Sequence, residues 1–550
     1  MQIKCCKKLV AIVLFCCLAL SSQAQQRFFN LTREQVKIDS ILPHFGHGIA
    51  LGEQFEDSIY SASILYPEFI DMSPTDIANY LKISGEPLPE MPEIEQSVMT
   101  SRGKGTFTVR FLPLVFREGR YQILVSFMLK IEAKAKKKAQ KSPQKAGKTG
   151  RYAENSVLAT GKWAKIRVSE TGIHQLTDEI VSKGGFSNIS KVKIYGYGGN
   201  LQPEVLTDAY LRQTDDLQEV AQCVVDGKRF FYAKGPVSWT SSDASLRTRN
   251  PYSDYGYYFL TESDDEPKTV SQDEFLKTNY PMADDYHVLY EIDNYAWVEG
   301  GRNLYENTPI NQGTSKNYAI ASPVTGKSGN LSVTVSAGVS STVSVVCNGK
   351  ELGNINISVS SINYEKGHAT NRVFQVSDLA ASNDVTISTI SGGPVRLDFI
   401  SLAFNEPKAT PNLQNGSFPV PEYVYNITNQ NLHGHEATDM VIIIPTTQKL
   451  LSQAERLAQF HRDRDGLRVR IVPADEIYNE FSSGTPDATA YKRYLKMLYD
   501  RAETEADQPR FLLLFGDCVW DNRMNTNDLR HTSPDDYLLC FESDNSFSET

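Results

Sequence analysis

The hydrophobic period of this chain changes near residue 438, and that change constrains the fold more than any other feature. Downstream of it, Met440, Val441, Ile442, Ile443 and Ile444 form an uninterrupted apolar run, the signature of a buried strand. Leu450, Leu451, Ala454, Leu457 and Ala458 then recur at helical spacing, and Gly466 stands where a left-handed helix cap favours glycine. Residues 467–472 alternate as a second strand. Thr485 and Pro486 offer an N-cap and a first-turn residue for another helix, in which Tyr491, Tyr494, Leu495 and Leu498 share one face. Phe511, Leu512, Leu513, Leu514 and Phe515 predict a third, fully buried strand. Strand, helix, strand, helix, strand is the opening of a parallel sheet covered on both faces.

Upstream the pattern is almost entirely that of β-structure. The 27 Tyr and 25 Phe against 9 Met agree, because rings suit a pleated, half-buried surface. Residues 25–132 read as a first β-rich domain: Thr106, Val109 and Phe111 lie in an alternating run that breaks at Pro113, and Glu118-Gly119-Arg120 turns the chain into a second long strand. A basic, flexible linker at 133–151 follows, rich in Lys, Ala and Gln. It reads as a solvated tether, with a polyanion-binding patch as the alternative. Residues 152–310 form a β-rich middle domain. Its cluster Gly196-Tyr197-Gly198-Gly199-Asn200 follows a strand, but no amphipathic helix and no Gly-Lys-Ser/Thr follows it, so a β-turn is favoured over a phosphate site. Residues 311–406 alternate through Leu331, Val333, Val335, Val343 and Val345, and Asn348-Gly349 is a type I′ hairpin signal. A sandwich or jelly roll is expected there. Pro, Asn and Gly mark 407–437 as a second linker, and 438–550 as the α/β domain, incomplete by its own pattern.

The N-terminus carries an export leader at 1–24. Lys4, Lys7 and Lys8 precede an apolar run at 9–20, and Ser22-Gln23-Ala24 supplies small-x-small, so cleavage is expected after Ala24. The core of the leader is short for a permanent anchor, and Phe15 before Cys16 and Cys17 argues against lipidation. The net charge of −10 becomes −13 without the three leader lysines, which excludes a nucleic-acid binder held by phosphate attraction. Four cysteines remain after the leader, Cys223, Cys347, Cys518 and Cys540, and spacing alone pairs none of them.

Chemistry in an open α/β sheet gathers at the carboxyl ends of its strands. Gly516-Asp517-Cys518 lies at such an end. Cys518 is a candidate nucleophile only if a histidine takes its proton, and His531 is the nearest in sequence, in a polar stretch. The alternative is a small buried cysteine beside a surface histidine. His433-Gly434-His435 with Glu436 and Asp439 suggests a metal cluster but lacks the ligand count of a closed zinc site. Asp521, Asp535, Asp536, Glu542 and Asp544 offer carboxylates for Ca²⁺ without EF-hand spacing, so a solvated loop and no cofactor are expected.

Several stretches resemble a known family. Phe111-Leu112-Pro113 with Gly119-Arg120-Tyr121 and Leu124-Val125-Ser126-Phe127, Gly161-Lys162-Trp163 through Gly172-Ile173-His174, and Ile194-Tyr195-Gly196-Tyr197-Gly198-Gly199 are among them. Asn250-Pro251-Tyr252-Ser253-Asp254, Val424-Tyr425-Asn426-Ile427-Thr428, Asp439-Met440-Val441 and Leu512-Leu513-Leu514-Phe515-Gly516-Asp517 continue the likeness in the same order. Together they resemble the gingipain-type cysteine peptidases that act as sortases of the type IX secretion system. The resemblance implies a caspase-like peptidase domain after the β modules, at the outer membrane or cell surface. It implies protein substrates bearing C-terminal sorting domains, other type IX components as partners, and an anionic lipopolysaccharide as acceptor. The family pairs a His in a Gly-His-Gly setting with a Cys after the next strand; neither motif occurs here, so the catalytic pair is expected beyond Thr550. The rival readings are a non-catalytic β-rich adhesin or scaffold, and a polysaccharide-acting enzyme.

Overall fold

The structure is a computed structural model that describes residues 25–38, 42–51, 55, 58–84, 87–101, 104–135, 151–359, 365–544 and 546–547. The leader with its cleavage position Ala24, and nearly all of the basic linker, lie outside the described residues. The chain divides into two compact units, Met1–Ala146 and Gly147–Thr550.

In the first unit the alternating pattern becomes two sheets. Phe45–Ala50, Lys104–Phe111 and Glu95–Ser101 form one; Gln25–Asn30, Arg120–Ala135, Ser58–Asp71 and Leu114–Arg117 form the other. The break at Pro113 is where the chain leaves one sheet for the other, since proline has no N–H to offer a ladder. Glu118 and Gly119 both have positive φ (51° and 75°), as the hairpin between Leu114–Arg117 and Arg120–Ala135 requires. Phe45, Phe107, Phe111, Phe127 and Leu129 fill the core between the sheets.

The second unit holds three layers of structure. Its middle part has one sheet ordered Val192–Tyr195, Gly256–Glu262, Trp163–Val168, Glu422–Ile427, and another of Thr269–Val270, Gln222–Val225, Lys228–Ala233 and Gly172–Leu176. The strand Glu422–Ile427 is a correction to the sequence reading: it lies within 407–437, expected to be a linker, yet pairs antiparallel with Trp163–Val168. Leu413 is fully buried in the same part of the molecule. Pro, Asn and Gly here shape a return path to a sheet edge, a role composition does not separate from a tether.

The sandwich consists of two four-stranded sheets around a core that includes Leu331, Val333, Val335, Val343, Val345 and Ile387. Asn348 and Gly349 take φ of 51° and 78° at the tip of the expected hairpin. One edge strand, His287–Glu291, comes from the range assigned to the middle domain and pairs with Val395–Phe404.

The C-terminal layer is the parallel sheet, ordered Val469–Pro473, Met440–Ile444, Phe511–Leu514. Helix Leu451–Asp465 covers one face through Ala454 and Ala458 and stops at Gly466, whose φ is 65°. Helices Ala474–Phe481 and Thr489–Arg501 cover the other. Two readings need correction. The second of these helices begins at Thr489, not at Thr485-Pro486, because Thr485 Oγ1 already accepts from Tyr257 N–H (3.2 Å) and donates to the Gly198 carbonyl (3.3 Å); Asp487 instead accepts the Thr489 N–H at 2.8 Å. Phe511–Leu514 is not fully buried: it is the sheet edge, with Phe511, Leu512 and Leu514 exposed by 40%, 45% and 45%.

Candidate functional site

The carboxyl ends of the three parallel strands meet around Pro445, Ala474 and Gly516. A Cβ on Gly516 would lie 2.9 Å from Pro445 Cγ, so glycine is what allows the two strand ends to close up. Asp517 turns back on its own chain and accepts the Cys518 N–H at 2.9 Å. Cys518 is exposed and opens the short strand Cys518–Val519, which pairs in parallel with Leu538–Leu539. Cys518 and Cys540 are both free cysteines. His531, the sequence candidate for a base, is exposed, and its Nε2 accepts from Arg530 Nε at 3.4 Å. Among the described residues no hydrogen bond joins Cys518 to a histidine.

The two histidines of the suspected metal cluster are built into the fold instead. His433 is fully buried, its ring stacked on Phe481 at 4.8 Å. Nδ1 donates to Glu480 Oε2 at 2.6 Å and Nε2 donates to the Asp215 carbonyl at 3.1 Å. With both ring nitrogens donating, the imidazole is held as its cation. Burial works against that charge, but the bonds to Asp215 and Glu480 outweigh it and raise the group to about 9. Glu480 also accepts from the N–H groups of Leu432 (2.7 Å) and His433 (3.0 Å). His435, two residues on, is driven the opposite way: burial pushes it down to about 4, and its Nδ1 accepts from Tyr494 OH at 2.8 Å. Glu436 is exposed, and Asp439 is bound by Arg468 (2.9 Å) and Arg510 (3.2 Å), which hold its carboxyl down at about 2.

The glycine cluster is also occupied. Ser483 Oγ accepts from the N–H groups of Tyr197 (2.9 Å) and Gly198 (3.2 Å) and donates to the Tyr257 carbonyl (3.0 Å). The backbone donors that a phosphate would use are thus satisfied by a serine of the α/β layer. A Cβ on Gly199 would stand 2.4 Å from Gly256 Cα, so close backbone approach explains that glycine. Beside it, the fully buried Arg493 donates to Tyr197 OH (2.9 Å), Gln202 Oε1 (2.7 Å), and the carbonyls of Phe481 (2.6 Å) and Thr214. Lys165 reaches Asn479 Oδ1 at 3.0 Å under the ring of Tyr257, and burial pushes its amine down to about 8.

The acidic residues near the C-terminal end are engaged one by one. Asp521 accepts the N–H groups of Asn525 and Thr526 (both 2.7 Å), Asp536 pairs with Lys449 (2.6 Å), and Asp544 with Arg302 (3.1 Å). Burial pushes Asp535 up, and it raises Glu542 to about 7, where Glu542 accepts the Gly301 N–H at 2.9 Å. Among the described residues no group of three or more His, Cys, Asp and Glu is placed to hold a metal ion.

Residues 433–549 match the model of peptidase family C25. This α/β layer is a gingipain-family domain. The chain is also similar to the crystal structure of dimeric latent PorU from Porphyromonas gingivalis, with 27% identity, 72% of this chain covered and a TM-score of 0.59. The chain spans 45% of the length of that PorU structure. Two carbohydrate-binding modules also align. One is the family 36 module in complex with calcium and xylotriose (16% identity, 21% of this chain and 99% of that one, TM-score 0.15). The other is a family 35 module from an environmental isolate (19%, 22% and 99%, 0.17). At such scores neither carries an argument. The curated proteins contain no match. All-β modules followed by a layer that matches peptidase family C25 is thus the order of parts in which this chain is similar to the PorU structure.

Sequence reasoning reached Cys518 and Asp517 but missed Glu480, Ser483 and Arg493. Arg493 lies in helix Thr489–Arg501, whose apolar face the sequence does show, whereas Glu480 and Ser483 lie in or beside helix Ala474–Phe481, which the sequence reading passed over. Its Glu476, Asn479 and Glu480 disguise an apolar face made by Ala474, Ile477 and Phe481.

Proposed function

We propose that this chain is the N-terminal part of a type IX secretion sortase, which removes C-terminal sorting domains from secreted protein cargo and attaches the cargo to the cell surface. The observation that carries the reading is the likeness to PorU across 72% of the chain together with the family C25 match at 433–549. The exposed edge strand Phe511–Leu514 supports a further part of the reading. Large apolar side chains exposed along a sheet edge suit the addition of a further strand. The cysteine thiolate would attack the scissile carbonyl, form an acyl-enzyme, and pass the acyl group to an amine or to water. Export with cleavage after Ala24, a place at the outer membrane or cell surface, type IX components as partners, and an anionic lipopolysaccharide as acceptor belong to the same proposal. No cofactor is required by this chemistry.

Deletion of the gene that encodes this chain tests the reading. Secreted proteins should accumulate with their C-terminal sorting domains still attached, as read by mass spectrometry of their C-terminal peptides, and should be lost from the cell surface. Normal trimming and attachment in the deletion strain would sink the sortase assignment and leave a β-rich scaffold as the better account.

A further inference from the structure

We propose that the buried joint at which the α/β layer meets the middle part and the sandwich is proton-sensitive: it closes with one proton on Asp398 and opens with release of that proton. The ground is the balance of charge. Three guanidinium groups, those of Arg247, Arg249 and Arg523, answer to four carboxylates, those of Asp254, Glu291, Asp293 and Asp398. The side chains of Glu291, Asp293, Asp398 and Arg523 are exposed by 4% or less, so a surplus negative charge among them is costly.

The pairing places that surplus on one residue. Arg523, from the α/β layer, is bound by Asp254 and Asp293 (both 2.8 Å). Arg249 binds Asp254 and Glu291 (both 2.9 Å) and Asp293 (3.0 Å). Arg247 binds Glu291 and, at 2.9 Å, Asp398. Asp254, Glu291 and Asp293 thus have two guanidinium partners each, whereas Asp398 has a share in one among the described residues. Strand register explains why that one is divided. Glu291 stands opposite Phe399 in the antiparallel pair of His287–Glu291 with Val395–Phe404, so Asp398 is the next residue along. Arg247 reaches both carboxylates from above the Phe399 ring, at 4.5 Å.

The other charged and titratable groups packed around Asp398 are engaged elsewhere. Arg396, two residues earlier on the strand, donates to the carbonyls of Glu306 (3.2 Å) and Asn307 and lies over the Tyr295 ring at 3.5 Å. Glu306, whose N–H bonds the Leu397 carbonyl at 2.8 Å, is paired with Lys316 and accepts from Tyr318 OH at 3.0 Å. Tyr305 before it is fully buried, and burial keeps its hydroxyl neutral. Burial, opposed by Arg247 and reinforced by Glu291 and Asp293, pushes Asp398 up to about 7. Burial and Glu291 push Asp293 up as well, but Arg523 and Arg249 both oppose the rise there.

The direction of the response follows from these partners. In an opened joint Asp398 regains its ordinary 3.8. Between 3.8 and about 7 each opening therefore releases a proton, so the open fraction rises with pH and levels off above about 7. The layer that matches family C25 is held tightest in mildly acid surroundings.

Hydrogen–deuterium exchange of the full chain across this pH range, corrected for the intrinsic pH dependence of exchange and read by mass spectrometry, tests the proposal. Peptides carrying Arg249 and Arg523 should exchange faster as pH rises, by up to about tenfold per pH unit, and level off above about 7. Asp398→Asn keeps the side-chain shape and has no proton to release, so the same peptides should exchange at a rate independent of pH. A flat profile in the wild type, or a wild-type slope that persists in Asp398→Asn, overturns the proposal. The wild-type profile decides the first outcome even where the variant does not fold. Neither measurement reads peptidase activity, so failure here leaves the sortase reading untouched.

Discussion

The α/β layer is held in two different ways at two of its sides. On the side of helices Ala474–Phe481 and Thr489–Arg501, polar groups are buried and several have partners away from the two helices: Ser483 on Tyr197 and Gly198 and Arg493 on Thr214 and Gln202 in the middle part, and Glu480 on His433. On the side of Phe511–Leu514, large apolar groups face outward and the strand stands at the end of the sheet, beside Met440–Ile444, among the described residues. The contrast separates two jobs. The first side sets position, because buried hydrogen bonds to single partners tolerate little displacement. The second side offers apolar area at a sheet edge, which binds by addition of chain rather than by fit.

The seam should dominate stability, and the largest test is Arg493→Ala. Removing a fully buried cation leaves four acceptors unsatisfied, so a loss on the order of 3 kcal/mol or more is expected in denaturant titration. A loss below about 1 kcal/mol would erase the distinction between the two sides.

The same side should respond to pH with a predictable sign. His433 rises from an ordinary 6.5 to about 9 in the folded chain, so its contribution is full below 6.5 and is lost as pH climbs through about 9. The size is about 3 kcal/mol. His435 is lowered to about 4, so its contribution is full above 6.5 and is lost as pH falls toward 4. Thermal midpoints should therefore decline on both sides of 6.5 through these two groups. His433→Gln should flatten the alkaline limb alone and His435→Gln the acid limb alone. An unchanged alkaline limb in His433→Gln would show that the ring is not held as a cation.

Ser483→Ala sharpens the comparison at smaller scale. It strips the partner from two buried N–H groups while keeping the backbone, at a cost of about 1–3 kcal/mol. The smallest effect on stability belongs to the open side. Leu512→Lys should change unfolding free energy by no more than about 0.5 kcal/mol, yet reduce self-association of the chain in light scattering, since a charge on an apolar edge opposes strand addition. A large loss of stability in Leu512→Lys would mean that the edge is already covered.

Much of the fold could be read from local pattern. The turn at Glu118-Gly119, the hairpin at Asn348-Gly349, the helix stop at Gly466 and the strand Met440–Ile444 all stand where periodicity and turn chemistry put them. Each depends on interactions within a few residues, which is the range over which pattern carries information. The misread features share the opposite property. The strand Glu422–Ile427 is a strand only because Trp163–Val168, more than 250 positions earlier, presents an edge to it. Thr485 fails to cap a helix because Tyr257 and Gly198 use its hydroxyl first.

What the sequence by itself determined is the kind of each segment: a β-rich chain that turns to strand–helix alternation near residue 438, acidic overall, with four of its eight cysteines after residue 24. Only the tertiary structure decided which polar groups are spent on holding that layer. A burial site lowers the effective dielectric and leaves each polar atom a single partner. That partner is chosen by chain segments far apart in sequence, so the charged state of His433 has no local signature.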